Sequence, residues 1–482
     1  MKTYLYVYVG STILAVISTP IVVRLGRKLN IVDAPDVRKI HSEPVPRIGG
    51  VAIFISMMVP IILLLFLRNV IGYGFEFAQP KVLALLVAAG FIFLVGLADD
   101  IRGLRVRIKL LAQFIAALGI CYVGIRIDSI RITESLVINL GWLSWPVTIF
   151  WIVGISNAIN FIDGLDGLAA GICAVTCGVI VVLTLYFGPP VMTIMMLSLL
   201  GALSGFLFFN FNPAKIFMGD SGSLFLGFTI ASSSVLCAAK AETLVGLALP
   251  VLALGIPIFD TLLSMLRRFL ERRSVFSPDR SHFHHRLLAL GLHQRHAVIT
   301  AYILTLLTAG FGMFMLFTRN AQTIILFVCI VLLLVMAFRI VGAVQLWGTI
   351  GSLKRKYVTS HQAKKEIENF EKVELYFRQA EVFDQWWEAV CFAADKMDFV
   401  GGTLPLTNRD GTQRMLAWGK NGEDIVTSDI VNVSLPIRDR RAGPPLVMKV
   451  RIHANGSLES AGRRAALFGR LLEEYSVANL TG

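Results

Sequence analysis

Apolar stretches long enough to cross a bilayer recur from the first residues of the chain to about Trp347, broken by short polar segments. By the ~20-residue criterion for a transmembrane helix they number about eleven. They lie near residues 3–24, 48–67, 81–98, 107–124, 142–156, 167–187, 190–209, 222–239, 243–266, 297–317 and 321–347. The first has the length of a signal peptide's apolar region. Only Lys2 precedes it, however, and no small-residue cleavage site is evident, so it reads as an uncleaved span.

The pattern changes after Trp347. Residues 348–364 form a basic juxtamembrane linker containing Lys354, Arg355, Lys356 and Lys364, suited to anionic lipid. Residues 365–482 read as a small soluble α+β domain. An amphipathic helix is predicted near 365–395, alternating strand-like runs at 414–418, 429–437 and 446–453, and a last helix near 459–475. The pair Trp386-Trp387 suits core packing better than a binding surface, and this region carries no catalytic constellation. The expected fold is therefore a polytopic α-helical membrane protein (residues 1–347) followed by a linker and a cytoplasmic α+β domain.

Composition agrees with the pattern. The 482 residues are 55% hydrophobic, with a mean hydropathy of +0.70, which sets the chain apart from soluble proteins. The net charge of +13 is mostly a loop bias. Arg24, Arg27, Lys28, Lys39 and Arg47 crowd the first loop, Arg102, Arg105 and Lys109 the third, and Arg267, Arg268, Arg272, Arg280 and Arg286 the ninth. Basic loops stay in the cytoplasm, so the N-terminus is expected outside and the C-terminus inside. This bias accounts for the charge without nucleic acid. The six cysteines contain no C-x-x-C pair, which argues against a disulfide framework or a zinc site.

The polar residues that interrupt the apolar pattern fall in the odd loops, all on the predicted cytoplasmic side. Asp99 and Asp100 end the third span, where helix C-termini disfavour acids. They either close the helix beside Arg102 and Arg105 or form a base or metal-facing pair at the bilayer surface. Asn157, Asn160, Asp163 and Asp166 recur every three residues, a polar stripe in helical conformation. A helix–helix contact would also use such a stripe. Asp220, in Met218-Gly-Asp-Ser-Gly-Ser223, opens the eighth span as an N-cap or a metal ligand. His282, His284 and His285 stand among Arg280 and Arg286, a field that repels cations and suits either a diphosphate or, as an amphipathic interfacial loop, anionic lipid. Asp260 is expected to pair with Arg267, seven residues on along one helical face.

In order and spacing, Asp99-Asp100, Asn157-Ala-Ile-Asn-Phe-Ile-Asp-Gly-Leu-Asp-Gly167, Asn210-Phe-Asn-Pro-Ala-Lys-Ile-Phe-Met-Gly-Asp220 and Asp279-Arg-Ser-His-Phe-His-His285 resemble the polyprenyl-phosphate N-acetylhexosamine-1-phosphate transferases. These are the WecA/TagO group of glycosyltransferase family 4, related to MraY. The likeness spans about residues 1–347 and leaves the C-terminal domain without a role. It implies a bacterial inner-membrane enzyme with its site facing the cytoplasm. Such an enzyme moves a HexNAc 1-phosphate, GlcNAc foremost, from a UDP-sugar to undecaprenyl phosphate with Mg²⁺ (or Mn²⁺) and releases UMP. A homodimer is a possible assembly.

By position, the resemblance implies that Asp220, assisted by Asn160, holds the metal, and that Asp99 and Asp100 deprotonate or orient the lipid phosphate. Asn157, Asp163, Asp166, Asn210 and Phe217 would shape the nucleotide-sugar pocket. Lys109, Arg280, His282, His284 and His285 would contact phosphate, and Lys39, His41 and Arg47 would guide the lipid phosphate.

Two rivals fit less well. A CDP-alcohol phosphotransferase shares the start of its motif with Asp163-Gly-Leu-Asp166-Gly167, but Gly171 stands where its arginine belongs. A polyprenyl-lipid transporter would place ionisable groups near the midplane, whereas here they lie at span ends.

Overall fold

The computed structural model describes residues 2–33, 44–66, 70–131, 137–187, 189–241, 244–270, 282–318, 321–341, 370, 372–407, 412–419, 430–437, 446–454 and 458–476. The chain divides into two compact units, Met1–Thr349 and Ile350–Gly482.

The first unit is a helical bundle. Its helices are α1 (Lys2–Lys28), α2 (Gly49–Phe66), α3 (Val70–Arg102), α4 (Val106–Tyr122), α5 (Ser144–Ile162), α6 (Leu168–Phe187) and α7 (Pro190–Asn210). They continue as α8 (Gly219–Ala241), α9 (Leu244–Ala253), α10 (Gly255–Leu270), the short α11 (Phe283–Ala289), α12 (Gln294–Met313) and α13 (Ala321–Ile340). Among the described residues, seven helices are long and apolar enough to cross a membrane. Leu5, Ile13 and Ile17 on α1 and Ile325, Leu332 and Met336 on α13 remain exposed, as a lipid-facing surface requires. This is a polytopic membrane protein. The ninth predicted span is not one helix. It breaks at Leu254 between α9 and α10, because Pro257 lacks the N–H that would bond the carbonyl four residues back.

Helix α8 forms the centre. It packs against α2, α3, α5, α6 and α9, and every residue from Ser221 to Cys237 is buried. No residue from Ser221 to Cys237 is charged, so the helix can be buried on every face. Small residues let its neighbours come close. A Cβ on Gly50 of α2 would lie 2.2 Å from the amide nitrogen of Gly222, and one on Gly96 of α3 would lie 2.5 Å from the carbonyl oxygen of Asp220. Two helices thus touch the start of α8 backbone to backbone. We expect Gly50→Ala to force α2 off α8, costing about 1–3 kcal/mol as overpacking does. Thermal unfolding of the solubilised protein would show the loss, and an unchanged midpoint would contradict this contact.

Short strands steer the chain toward the same place. β1 (Val32–Asp33) pairs antiparallel with β2 (Val45–Pro46). Beyond β2 the backbone zips onto the segment before α8: Phe217 N–H donates to Pro46 O (2.8 Å), Gly49 N–H to Phe217 O (2.9 Å) and Gly50 N–H to Met218 O (2.8 Å). β3 (Ser129–Arg131) and β4 (Val137–Asn139) form a separate hairpin ladder.

In the second unit, a helix at 372–378, α15 (Phe383–Lys396) and α16 (Leu458–Glu474) accompany an antiparallel sheet. We label the 372–378 helix α14. The sheet comprises β5 (Phe399–Thr407), β6 (Gln413–Gly419), β7 (Ile430–Ile437) and β8 (Leu446–His453), in the order β6-β5-β8-β7. The predicted single helix at 365–395 is interrupted between α14 and α15. Strand β5 escaped the sequence pattern because Val400, Gly401 and Gly402, all buried, do not alternate. Trp386 is a core residue, 1% exposed, and its indole N–H donates to Tyr475 O at 2.7 Å.

Candidate functional site

Helix ends and loops from distant parts of the first unit meet around a cavity of about 770 Å³. Its wall includes the carboxylates of Asp99, Asp100, Asp163, Asp166 and Asp220 together with Asn160. Five acids in one cavity repel one another, and Asp99, Asp100, Asp166 and Asp220 are each held by a particular partner.

Asp99, at the end of α3, accepts a hydrogen bond from the Leu104 amide and faces Lys109 of α4 at 2.8 Å. The same Lys109 ammonium lies 2.6 Å from Asp220 at the start of α8. One cation therefore bridges two carboxylates whose residues are more than a hundred positions apart. The other oxygen of Asp220 accepts from the Asn160 amide at 3.0 Å, and Asn160 also donates to Ser223 Oγ at 2.8 Å.

Asp100 turns the other way. Its two oxygens accept the Asp220 and Ser221 amides at 2.8 and 2.9 Å. It thus caps α8 from a neighbouring helix, which satisfies two of the amides every helix leaves open at its start. Arg47 grips the Asp100 carbonyl with two donors, at 3.1 and 2.8 Å.

Asp166 and Asn210 hold the 211–218 loop. Asp166 accepts from the Asn212 side chain (2.9 Å) and the Ala214 amide (3.1 Å), and Asn210 donates to Ile216 O at 2.9 Å. Phe217, Lys215 and Asn212 of that loop line the cavity. Asp163 caps the end of α5. Loss of water, and then the nearby charges of Asp220, Asp100 and Asp166, push its carboxyl up to about 8. At neutral pH it therefore keeps its proton.

This donor set fits a hard divalent cation. Among the described residues no three acid, imidazole or thiol groups form a ready-made cage. Mg²⁺ is held in that way, by one or two carboxylates plus substrate phosphates and water.

Other predicted residues fall elsewhere. Asn157 does not line the cavity. Its amide donates to Gln113 of α4 at 2.6 Å and to Val153 O at 2.8 Å, a contact between helices. Of the three histidines, His285 reaches the cavity wall, whereas His282 and His284 do not. Asp260 takes His282 at 3.0 Å and the Phe283 amide at 2.8 Å as partners instead of the expected Arg267. A helix-face count cannot foresee that the chain returns to α10 after residue 281. Lys39, His41 and Arg280 lie outside the described residues. Asn212 and Lys215 on the cavity wall, and Ser223 beside Asn160, were not foreseen as part of the site. Lone polar residues carry no signal until the fold gathers them.

The profile described as Glycosyl transferase family 4 matches residues 82–238. A probable undecaprenyl-phosphate N-acetylglucosaminyl 1-phosphate transferase of Bacillus subtilis (strain 168) is 40% identical over 300 residues, 62% of this chain and 80% of the relative. An undecaprenyl-phosphate alpha-N-acetylglucosaminyl 1-phosphate transferase of Thermotoga maritima is 34% identical, covering 54% of this chain and 74% of the relative. A phospho-N-acetylmuramoyl-pentapeptide-transferase of Halalkalibacterium halodurans is 31% identical, covering 65% and 98%. The likeness runs through the helices whose ends carry the carboxylates, and on it the chain belongs to glycosyl transferase family 4, among the polyprenyl-phosphate N-acetylhexosamine-1-phosphate transferases.

Proposed function

We propose that the chain transfers a HexNAc 1-phosphate, GlcNAc 1-phosphate foremost, from a UDP-sugar to undecaprenyl phosphate. The products are undecaprenyl-pyrophosphoryl-HexNAc and UMP. The observation that carries this reading is the Asp99–Lys109–Asp220–Asn160 cluster at one cavity. Phosphoryl transfer asks a protein mainly for positioning and charge neutralisation, and a polyprenyl chain can stay in lipid while its phosphate reaches a helix-end site.

Asp220 and Asn160 would hold Mg²⁺ (or Mn²⁺), which when bound supplies charge neutralisation on the donor diphosphate. Asp99 directs the attacking lipid phosphate and takes its proton where one is present. Lys109, tied to both acids, is placed to follow the developing charge between them. Asp100 sets the start of α8 and acts on the chemistry through that position. Asp166, Asn210 and Phe217 shape the nucleotide side through the 211–218 loop, and His285 contributes an imidazole to the phosphates. The basic residues of the odd loops support a cytoplasmic site, where UDP-sugars are found.

The test is purified protein with Mg²⁺, undecaprenyl phosphate and a panel of UDP-GlcNAc, UDP-GalNAc and UDP-MurNAc-pentapeptide. UMP release with UDP-GlcNAc exceeding the other donors is expected. Release with none of them, or a CDP-linked donor serving instead, would overturn the proposal.

A further inference from the structure

One acid in the first unit takes no part in the cavity and yet has both oxygens engaged. Asp260 lies in α10, 5% exposed. One oxygen faces His282 Nδ1 at 3.0 Å, and the other accepts the Phe283 amide at 2.8 Å. Phe283 is the first residue of α11, and no side chain of the preceding residue caps that helix. The cap comes instead from Asp260, twenty-three positions back in sequence. A carboxylate accepts only, so His282 carries its proton on Nδ1 and its ring is fixed in one orientation.

From His282 the contact runs outward through imidazoles. The rings of His282 and His284 stack with centroids 5.7 Å apart and planes 7° apart. The rings of His284 and His285 lie 4.4 Å apart. His284 is wedged against the loop that carries Asp163 and Asp166: a Cβ on Gly164 would lie 3.0 Å from its Nε2. Burial, and then the flanking imidazoles, lower the His284 pKa to about 3, so it stays neutral. His285, at the outer end, is the histidine on the cavity wall.

We propose that Asp260 is a positioning residue, which by fixing the His282 ring and the first turn of α11 sets His285 against the Asp163–Asp166 loop at the cavity. This rests on the transferase reading for the role of His285, but the geometry of the pair does not. Asp260→Asn keeps an acceptor for the Phe283 amide while presenting N–H to His282, which forces the ring into the opposite tautomer. Partners that orient metal-ligating histidines cost about 10–100-fold when lost, and an orienting partner that reaches the cavity through imidazole rings is expected to fall within that range.

Two measurements decide the matter. Imidazole ¹⁵N spectra of the full chain in nanodiscs should show a His282 signal protonated at Nδ1 in the wild type and at Nε2 in Asp260→Asn. This readout is independent of any substrate. In UMP-release assays with UDP-GlcNAc, Asp260→Asn should lower kcat/KM by about 10–100-fold, and Asp260→Asn/His285→Gln should be no worse than His285→Gln alone. His282→Gln, which leaves the Phe283 bond in place, is the second variant and should behave as Asp260→Asn does if the latter fails to fold. An unchanged tautomer, or losses that multiply in the double variant, would overturn the proposal. A wild type that releases no UMP would instead overturn the transferase reading, leaving the tautomer result to stand or fall by itself.

Discussion

Replacing Asp220 by Asn is expected to lower UMP release on the order of 10³-fold while leaving the fold intact. The size follows from the several kcal/mol of charge stabilisation at stake when a cation-facing carboxylate is neutralised. The fold survives because the α8 start is fixed by the Asp220 main-chain amide on Asp100, which the substitution does not touch. The asparagine keeps the shape, but one of its terminal atoms now donates. It faces either Asn160, a donor at 3.0 Å, or Lys109, a donor at 2.6 Å, so one favourable contact becomes a clash of donors. The measurement is initial-rate UMP release across a Mg²⁺ titration, with a thermal melt as control. Residual activity restored to wild-type level by excess Mg²⁺ would reduce Asp220 to a simple affinity determinant. Activity unaffected at any Mg²⁺ level would remove it from the site.

Lys109→Met is expected to move two quantities in opposite directions. The ammonium is the bridge between Asp99 and Asp220, with side-chain exposures of 19%, 11% and 26% respectively. Breaking a fully buried pair costs roughly 3–5 kcal/mol. Partial exposure reduces this to about 1–2 kcal/mol in folding stability, since water screens what remains. Turnover should fall about 10²-fold with the loss of a positive group beside the phosphates. The affinity for a divalent cation should rise, because the carboxylates lose the ammonium that competes for them. Isothermal titration with Mg²⁺ alone reads the second effect without any substrate. A fall in both would mean that Lys109 organises the cation site and does not compete with it.

How far the sequence foretold this arrangement differs from residue to residue. Asp99, Asn160 and Asp220 were legible because an acid or amide at the end of an apolar span is costly unless used, and the motifs that hold them have characteristic spacing. The bundle was legible for the same reason: apolar length reads out directly. Partnerships were not. Lys109 reads as a phosphate contact from its position, and only the approach of α3, α4 and α8 shows that it bridges two acids. Asp100 sits beside Asp99 in sequence with the same chemistry, yet its carboxylate is taken up by the amides that open α8. Adjacent residues on a helix diverge by about 100°, so a doublet of acids does not imply a doublet of roles. The Asp260–His282 pair escaped because nothing in the spacing tells that α10 and α11 meet. The break at Leu254 was foreshadowed by Pro257, but apolar length alone joined the two pieces.

The backbone contacts of Gly50 and Gly96 with the start of α8 also bear on how the protein responds to its lipid. A span whose apolar length differs from the hydrocarbon thickness adjusts by tilting or by thinning the bilayer around it. Helices α2, α3 and α8 cannot tilt separately, since any relative slide drives main chain into main chain. Mismatch is therefore taken up by the outer helices, whose lipid-facing side chains slide freely, and the spacing between Asp99 and Asp220 is insulated from it. Turnover should then vary little between nanodiscs of short-chain and long-chain lipid.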